Sequence, residues 1–145
     1  MPLIYVNAPA DTFSAASRDA LADELTTAAL ECERLAAENE FVRSTTWIYF
    51  RDYPATHVYH GGKPGGTQVI SLEINAFQGG LDAAAKEALF SRFTAAIRKH
   101  AGIADDALAP VYIVARDVST IDWGVFGQTI SLADLRNPAP GAQAI

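Results

Sequence analysis

Apolar and polar positions follow two different periods along this chain, and the switches between them mark its elements. Leu3 to Val6 is a short β-type run closed by Asn7-Ala8-Pro9. From Ser14 to Glu40 the period lengthens. Leu21, Leu25, Ala28, Cys32 and Leu35 recur at three- and four-residue spacing, the stripe of an amphipathic helix with Ser14 as its N-cap. Thr45 to Arg51 is rich in Thr, Trp, Ile, Tyr and Phe and reads as a strand. Asp52-Tyr53-Pro54 turns the chain, and Val58-Tyr59 leads into a glycine-rich loop over 61–66. The same order then returns: a strand from Gln68 to Ala76, a helix from Asp82 to Lys99 with Leu89, Phe93, Ala96 and Ile97 on one face, and a strand from Pro110 to Arg116.

The return is close in register. A shift of 68 residues lays Asn7-Ala8 over Asn75-Ala76, Ser14 to Leu21 over Asp82 to Leu89, and Thr26 over Thr94. After a slip of three, Arg51-Asp52 falls on Arg116-Asp117 and Gly62 on Gly127. Matching order, type and offset across strand, helix, strand and turn indicates a duplication. The pattern predicts an α+β fold in one domain over 1–145, with repeats at 2–66 and 68–133 and a flexible tail at 137–145. Each repeat is a β-α-β unit with parallel strands and a right-handed crossover. Together they form a four-stranded sheet with two helices on one face, plus short hairpin strands. The other face carries Trp47, Tyr49, Tyr112 or their neighbours and has no covering layer, so oligomerisation is expected to bury it. The short pieces at Val58-Tyr59 and Val125-Phe126 are candidates for edge strands added to neighbouring subunits.

Composition narrows the function classes. The chain has 145 residues, half of them hydrophobic, a net charge of −6 and a pI near 4.9. Such an acidic balance argues against a nucleic-acid surface, which needs a basic face to displace counterions. The amino end has neither a basic lead-in nor a long apolar run, so neither a secretory signal nor a membrane anchor is expected. A single cysteine, Cys32, permits no internal disulfide, and a cytoplasmic location is expected.

The residue with the most chemistry to offer is Pro2. Removal of Met1 leaves a free prolyl amine, a secondary amine fixed in a ring at the start of a strand. An α-amino group titrates at roughly 7.7–8.0, and an apolar pocket lowers that further. Such a group accepts a proton as a neutral base and returns it as the conjugate acid. The position matching Pro2 in the second repeat is Ile70, an ordinary internal amide, so only one repeat can supply the amine.

The opening Met-Pro-Leu-Ile-Tyr-Val, followed by a long helix and a strand, resembles the start of tautomerase-superfamily proteins. The turn Tyr59-His60-Gly61-Gly62-Lys63-Pro64 and the segment Ile121-Asp122-Trp123-Gly124-Val125-Phe126-Gly127 resemble that family's two hairpin regions. The duplicated length is similar to the fused branch typified by malonate semialdehyde decarboxylase and cis-3-chloroacrylic acid dehalogenase. The resemblance implies a homotrimer without cofactor or metal, acting on a small molecule through Pro2. It puts Trp123 at an aromatic wall of the pocket and Tyr112 on the strand where short tautomerases carry a substrate-binding arginine.

Departures from the family pattern are equally legible. The loop after the third strand, Ala76 to Leu81, has no arginine. The dehalogenase's helix histidine falls on Ala29, and its water-activating glutamate falls near Val125. A carboxylate-binding group must therefore come from elsewhere: Arg116, on the strand face of Tyr112; its repeat counterpart Arg51; or Arg43 before the second strand. Proton abstraction beside a carbonyl develops enolate charge, for which Arg116, Gln78 or a backbone amide can act as donor. The alternative for Arg51-Asp52 and Arg116-Asp117 is a pair of solvated strand-end charges.

Other motifs carry less. His57 and His60 have a His-x-x-His spacing but no third ligand nearby. The glycines around Lys63 lack the Ser/Thr and helix of a phosphate loop. Cys32 sits on the apolar stripe as a small core residue, and Trp47 and Tyr49 read as sheet packing. The leading expectation is a cofactor-independent keto–enol tautomerase of a small 2-keto acid. The alternatives are a non-catalytic or repurposed oligomeric binding module of the same fold, and an unrelated ferredoxin-like oligomer built from the same repeat.

Overall fold

The computed structural model describes residues 2–65 and 67–145. Met1, whose removal the proline chemistry requires, and Gly66 of the glycine-rich loop lie outside the described residues. Among these residues eight strands and four α-helices follow in order: β1 (Leu3–Pro9), α1 (Ala15–Cys32), α2 (Glu40–Ser44), β2 (Trp47–Tyr53), β3 (Tyr59–His60), β4 (Lys63–Pro64), β5 (Ile70–Phe77), α3 (Ala83–His100), β6 (Val111–Val118), β7 (Gly124–Val125), β8 (Gln128–Thr129) and α4 (Leu132–Arg136).

The main sheet has the order β2-β1-β5-β6. β1 runs parallel to β2 and β5 parallel to β6, while the central pair β1/β5 is antiparallel. Alternation sorts the side chains cleanly. Ile4, Val6, Ile70, Leu72 and Ile74 point to one face and are buried beneath Leu21, Leu25, Leu89, Phe93 and Ile97 of α1 and α3. The opposite face carries Trp47, Tyr49, Tyr112 and Val114, each between 44 and 69 % exposed. On that face Tyr5 stacks on Tyr49 at 5.4 Å, and the Arg51 guanidinium lies 3.8 Å from the centre of the Tyr5 ring. The predicted one-sided sheet is present. The predicted short hairpin strands are present as β3–β4 and β7–β8.

The helix expected to reach Glu40 stops at Cys32, with Glu33 as C-cap. Arg34 turns left-handed at φ 58, and the Leu35 and Arg34 amides donate to the carbonyls of Leu30 and Glu31, closing a Schellman motif. α3 ends the same way with Gly102 at φ 66 and the Ile103 amide on Arg98. Both helices begin on a side-chain cap, Ser14 for α1 and Asp82 for α3. The strands also run past their predicted ends, to Pro9, Tyr53, Phe77 and Val118.

Charges tie the layers together. Arg18 of α1 meets Asp52 at 2.6 Å, and Lys86 of α3 meets Asp117 at 2.8 Å, the same pair in each repeat. Between the helices, the Glu24 carboxylate accepts from Lys99 at 2.9 Å and shares a hydrogen bond with the His100 ring at 2.8 Å. These contacts hold its pKa below the usual 4.5. A carboxyl held low in the fold contributes stability above its unfolded value, and loses it as pH falls through its folded value. Glu24→Gln should therefore lower stability at pH 6 by about 0.2–1 kcal/mol, the range of screened surface pairs. The gap to the parent protein should close as pH falls below 4.5, as read from urea midpoints.

Candidate active site

The antiparallel centre of the sheet decides where a site can form. β5 and β6 both end at the edge where β1 begins, because Leu3 pairs with Asn75 and Asn75 with Arg116. The segment leaving β6 therefore returns over the start of β1. Pro2 sits there, buried, and its carbonyl accepts the Trp47 amide at 3.2 Å, extending the β1/β2 ladder by one step. The next side chain, Leu3, lines a hollow of about 250 Å³ together with Trp47, Tyr49, Trp123, Val125 and Phe126.

Trp123 is held as a wall rather than a flap. It is 8 % exposed, its ring lies 4.9 Å from that of Phe77, and its indole Nε1–H donates to the Val118 carbonyl at 3.3 Å. The β7–β8 hairpin turns through Phe126 and Gly127, at φ 49 and 80, the left-handed pair of a type I′ turn. That turn presents Phe126, 75 % exposed, at the rim.

The opposite end of the sheet carries the repeat's counterpart. Here Ile70 stands where Pro2 stands in the first unit, and its amide is committed to the Pro110 carbonyl at 2.8 Å. A larger hollow of about 690 Å³ opens beside it, lined by Tyr59, His60, Val69, Ser71, Leu108 and Tyr112. Tyr112 thus belongs to this second mouth, on the side of the sheet away from Pro2, rather than to the wall facing the proline.

The cationic candidates are all engaged. Arg116 lies in the cross-strand row of Trp47, Leu3 and Asn75, and its Nη1 donates to Glu73 at 2.8 Å on the open face. Arg43 is turned to the helix side, where it binds Asp23 at 2.6 Å, Thr27 Oγ1 at 3.1 Å and the Ala37 carbonyl at 3.0 Å. That network braces the α1–α2 connection and puts Arg43 outside the aromatic hollow. Gln78 is exposed beyond β5, its backbone amide donating to Val118 at 2.9 Å. No arginine or lysine lines the hollow among the described residues. His57 and His60 join no group of three metal-ligating side chains among the described residues. Burial pushes the Cys32 thiol up, against the thiolate that a nucleophile needs.

One ionisable residue near the site escaped sequence reasoning. Glu33 is 1 % exposed, and burial raises its carboxyl above the usual 4.5. The sequence carried little signal for it: Glu33 falls between Cys32 and Leu35 of the apolar stripe, and only the structure makes it the C-cap of α1.

No protein-family model matches the chain, and no curated protein matches it in sequence. Solved structures do match. F6, a wild-type fused 4-OT described as an asymmetric trimer, is 22 % identical over 88 % of this chain and 94 % of its own, with a TM-score of 0.69. A member of the cis-3-chloroacrylic acid dehalogenase family, N1, reaches a TM-score of 0.72 at 16 % identity, covering 89 % of this chain and 83 % of its own. The macrophage migration inhibitory factor of Toxoplasma gondii gives 0.68 at 16 % identity, over 88 % and 99 %. The α+β sheet, its two crossover helices and its closing hairpins are therefore the fold seen in the fused 4-OT and N1 structures.

Proposed function

We propose that the protein is a cofactor-independent keto–enol tautomerase acting on a small 2-keto acid or related carbonyl compound, with Pro2 as its acid and base. The observation that carries this reading is the setting of Pro2: buried at the start of β1, one residue from a side chain that lines an aromatic hollow. With Met1 removed, the neutral ring nitrogen takes a proton from the carbon beside the substrate carbonyl, giving an enolate and a prolinium. The prolinium then delivers that proton to the enolate oxygen, so the enol leaves and the neutral amine returns. Apolar walls favour the uncharged amine at neutral pH, and the flat faces of Trp47 and Trp123 suit a planar enol. Conversion of phenylpyruvate or 2-hydroxymuconate between enol and keto forms, followed by ultraviolet absorbance, tests the reading. No turnover by protein whose intact mass shows Met1 removed would sink it for those substrates.

A second reading has its own observation. Among the described residues no cation lines the hollow, whereas a carboxylate substrate calls for one. A repurposed oligomeric binding module of this fold would keep the walls and dispense with the anion site. Binding of neutral carbonyl compounds without turnover would favour it.

Both readings place the chain in a homotrimer that covers the open sheet face, as the fused 4-OT structures are trimers. Val114 is half exposed on that face, midway along the edge strand β6, and stands opposite Glu73. Val114→Glu should put two carboxylates side by side in the buried interface and shift the solution mass from about three chains toward the single-chain 15.5 kDa. Light scattering reads the change, and a parent protein that is already monomeric would overturn the assembly.

A further inference from the structure

The two hollows are built from equivalent positions of the two repeats. In the first, Leu3 pairs with Trp47; in the second, Ser71 pairs with Tyr112. The residue that closes the short helical turn before each hairpin comes next, Trp123 in the first and Val58 in the second. Val125 and His60 then pair across the two-residue turns of their hairpins, each preceded by a lining residue, Gly124 or Tyr59.

The chemistry at these matched places has diverged. Leu3 is answered by Ser71, Trp47 by Tyr112, Gly124 by Tyr59 and Val125 by His60. Three of the four gain a side-chain hydrogen-bond donor, and the fourth keeps one on a smaller ring. Ser71 Oγ accepts the Asn7 amide at 3.3 Å, which leaves its own hydrogen to give. No aspartate or glutamate lines the second hollow among the described residues, and Leu108, Pro110 and Val111 supply an apolar wall. Its rim is tied down at two points. The Tyr53 hydroxyl donates to the Val69 carbonyl, and the Ile70 amide donates to the Pro110 carbonyl at 2.8 Å.

We propose that the second mouth is a binding site for small aromatic carboxylates, which it holds without transforming. A flat ring suits Tyr59, Tyr112 and the apolar wall, and the carboxylate suits the donors of His60, Ser71 and the two phenols. A protonated His60 adds charge to that set. No proton is drawn from the ligand, because the nitrogen at the head of β5 is an amide already bonded to Pro110. The proposal is independent of the tautomerase reading, which concerns the other mouth.

The test titrates full-length ¹⁵N-labelled protein with sodium benzoate at constant ionic strength, following backbone amides by NMR. Benzoate has no enolisable carbon, so occupancy is read without turnover. Saturable shifts are expected at Ser71, Val111, Tyr112 and the β3–β4 hairpin. Benzamide, which keeps the ring and loses the charge, should bind about tenfold more weakly. His60→Val, which restores the residue type of the first mouth at an exposed hairpin position, should weaken benzoate by a similar factor. Saturation confined to Gly124, Val125 and Phe126 would place the ligand in the first mouth and overturn the proposal. So would the lack of any saturable shift, or equal affinities in folded His60→Val and the parent. Should that variant fail to fold, the parent decides alone, and benzamide binding as tightly as benzoate would overturn the carboxylate site.

Discussion

Pro2→Ala, with Met1 still removed, is expected to lower kcat/KM for an enolisable 2-keto acid by about 10²–10⁴-fold, the usual contribution of a positioned acid–base group. Alanine keeps an amine at the chain start, so the loss measures what the ring adds. The pyrrolidine fixes φ and holds the nitrogen lone pair in one direction at the head of β1, whereas a primary amine on a free bond wanders. The backbone should suffer little, because the contact made by residue 2 in the ladder is through its carbonyl, to the Trp47 amide. Circular dichroism and solution mass should therefore match the parent. Unchanged turnover of a substrate that the parent processes would remove Pro2 from the mechanism.

Trp123→Ala is the second large effect and has a different character. The indole packs on Phe77 within a small core that includes Leu30, Leu35, Val42, Leu132 and Leu135, separate from the core beneath the sheet. Removing a buried indole from such a cluster costs about 3–5 kcal/mol. The loss should appear as a lower urea midpoint when the variants are compared at one protein concentration, since assembly is linked to unfolding. The hollow loses one wall at the same time. KM should rise, while the pH profile set by the Pro2 amine keeps its shape. A Trp123→Ala protein as stable as the parent would mean that this second core contributes little.

Much of this fold was readable from residue order, and one helix end shows why part of it was not. Residues 34 and 102 occupy the same place in the two repeats, each turning left-handed after its helix. At 102 the residue is glycine, the usual marker of a helix stop, and the second helix was placed within a residue of its true end. At 34 the residue is arginine, which carries no such mark, and Leu35 falls at the right spacing to prolong the apolar stripe. The Leu35 amide instead closes back on Leu30 and the chain turns away.

The candidate site was legible where it depends on chain position and aromatic walls, as with Pro2 and Trp123. It was not legible where it depends on which strand ends meet. The antiparallel pairing of β1 with β5 sends Tyr112 to one end of the sheet and Trp123 to the other, and no local pattern announces that pairing. Glu33 was overlooked for a related reason. A glutamate near a helix end reads as a surface charge until Gly80 and Phe77, more than forty residues on, are seen to enclose it.

The second mouth, at the Ile70 end of the sheet, is a matched blank for the first. It is framed by the same strand order and an equivalent hairpin, yet the nitrogen at its head is an amide spent on Pro110. On the proposed mechanism, substitutions there leave proton transfer untouched. A ligand found in both mouths would be bound by the frame, and one transformed at only one end would owe that difference to a single amine.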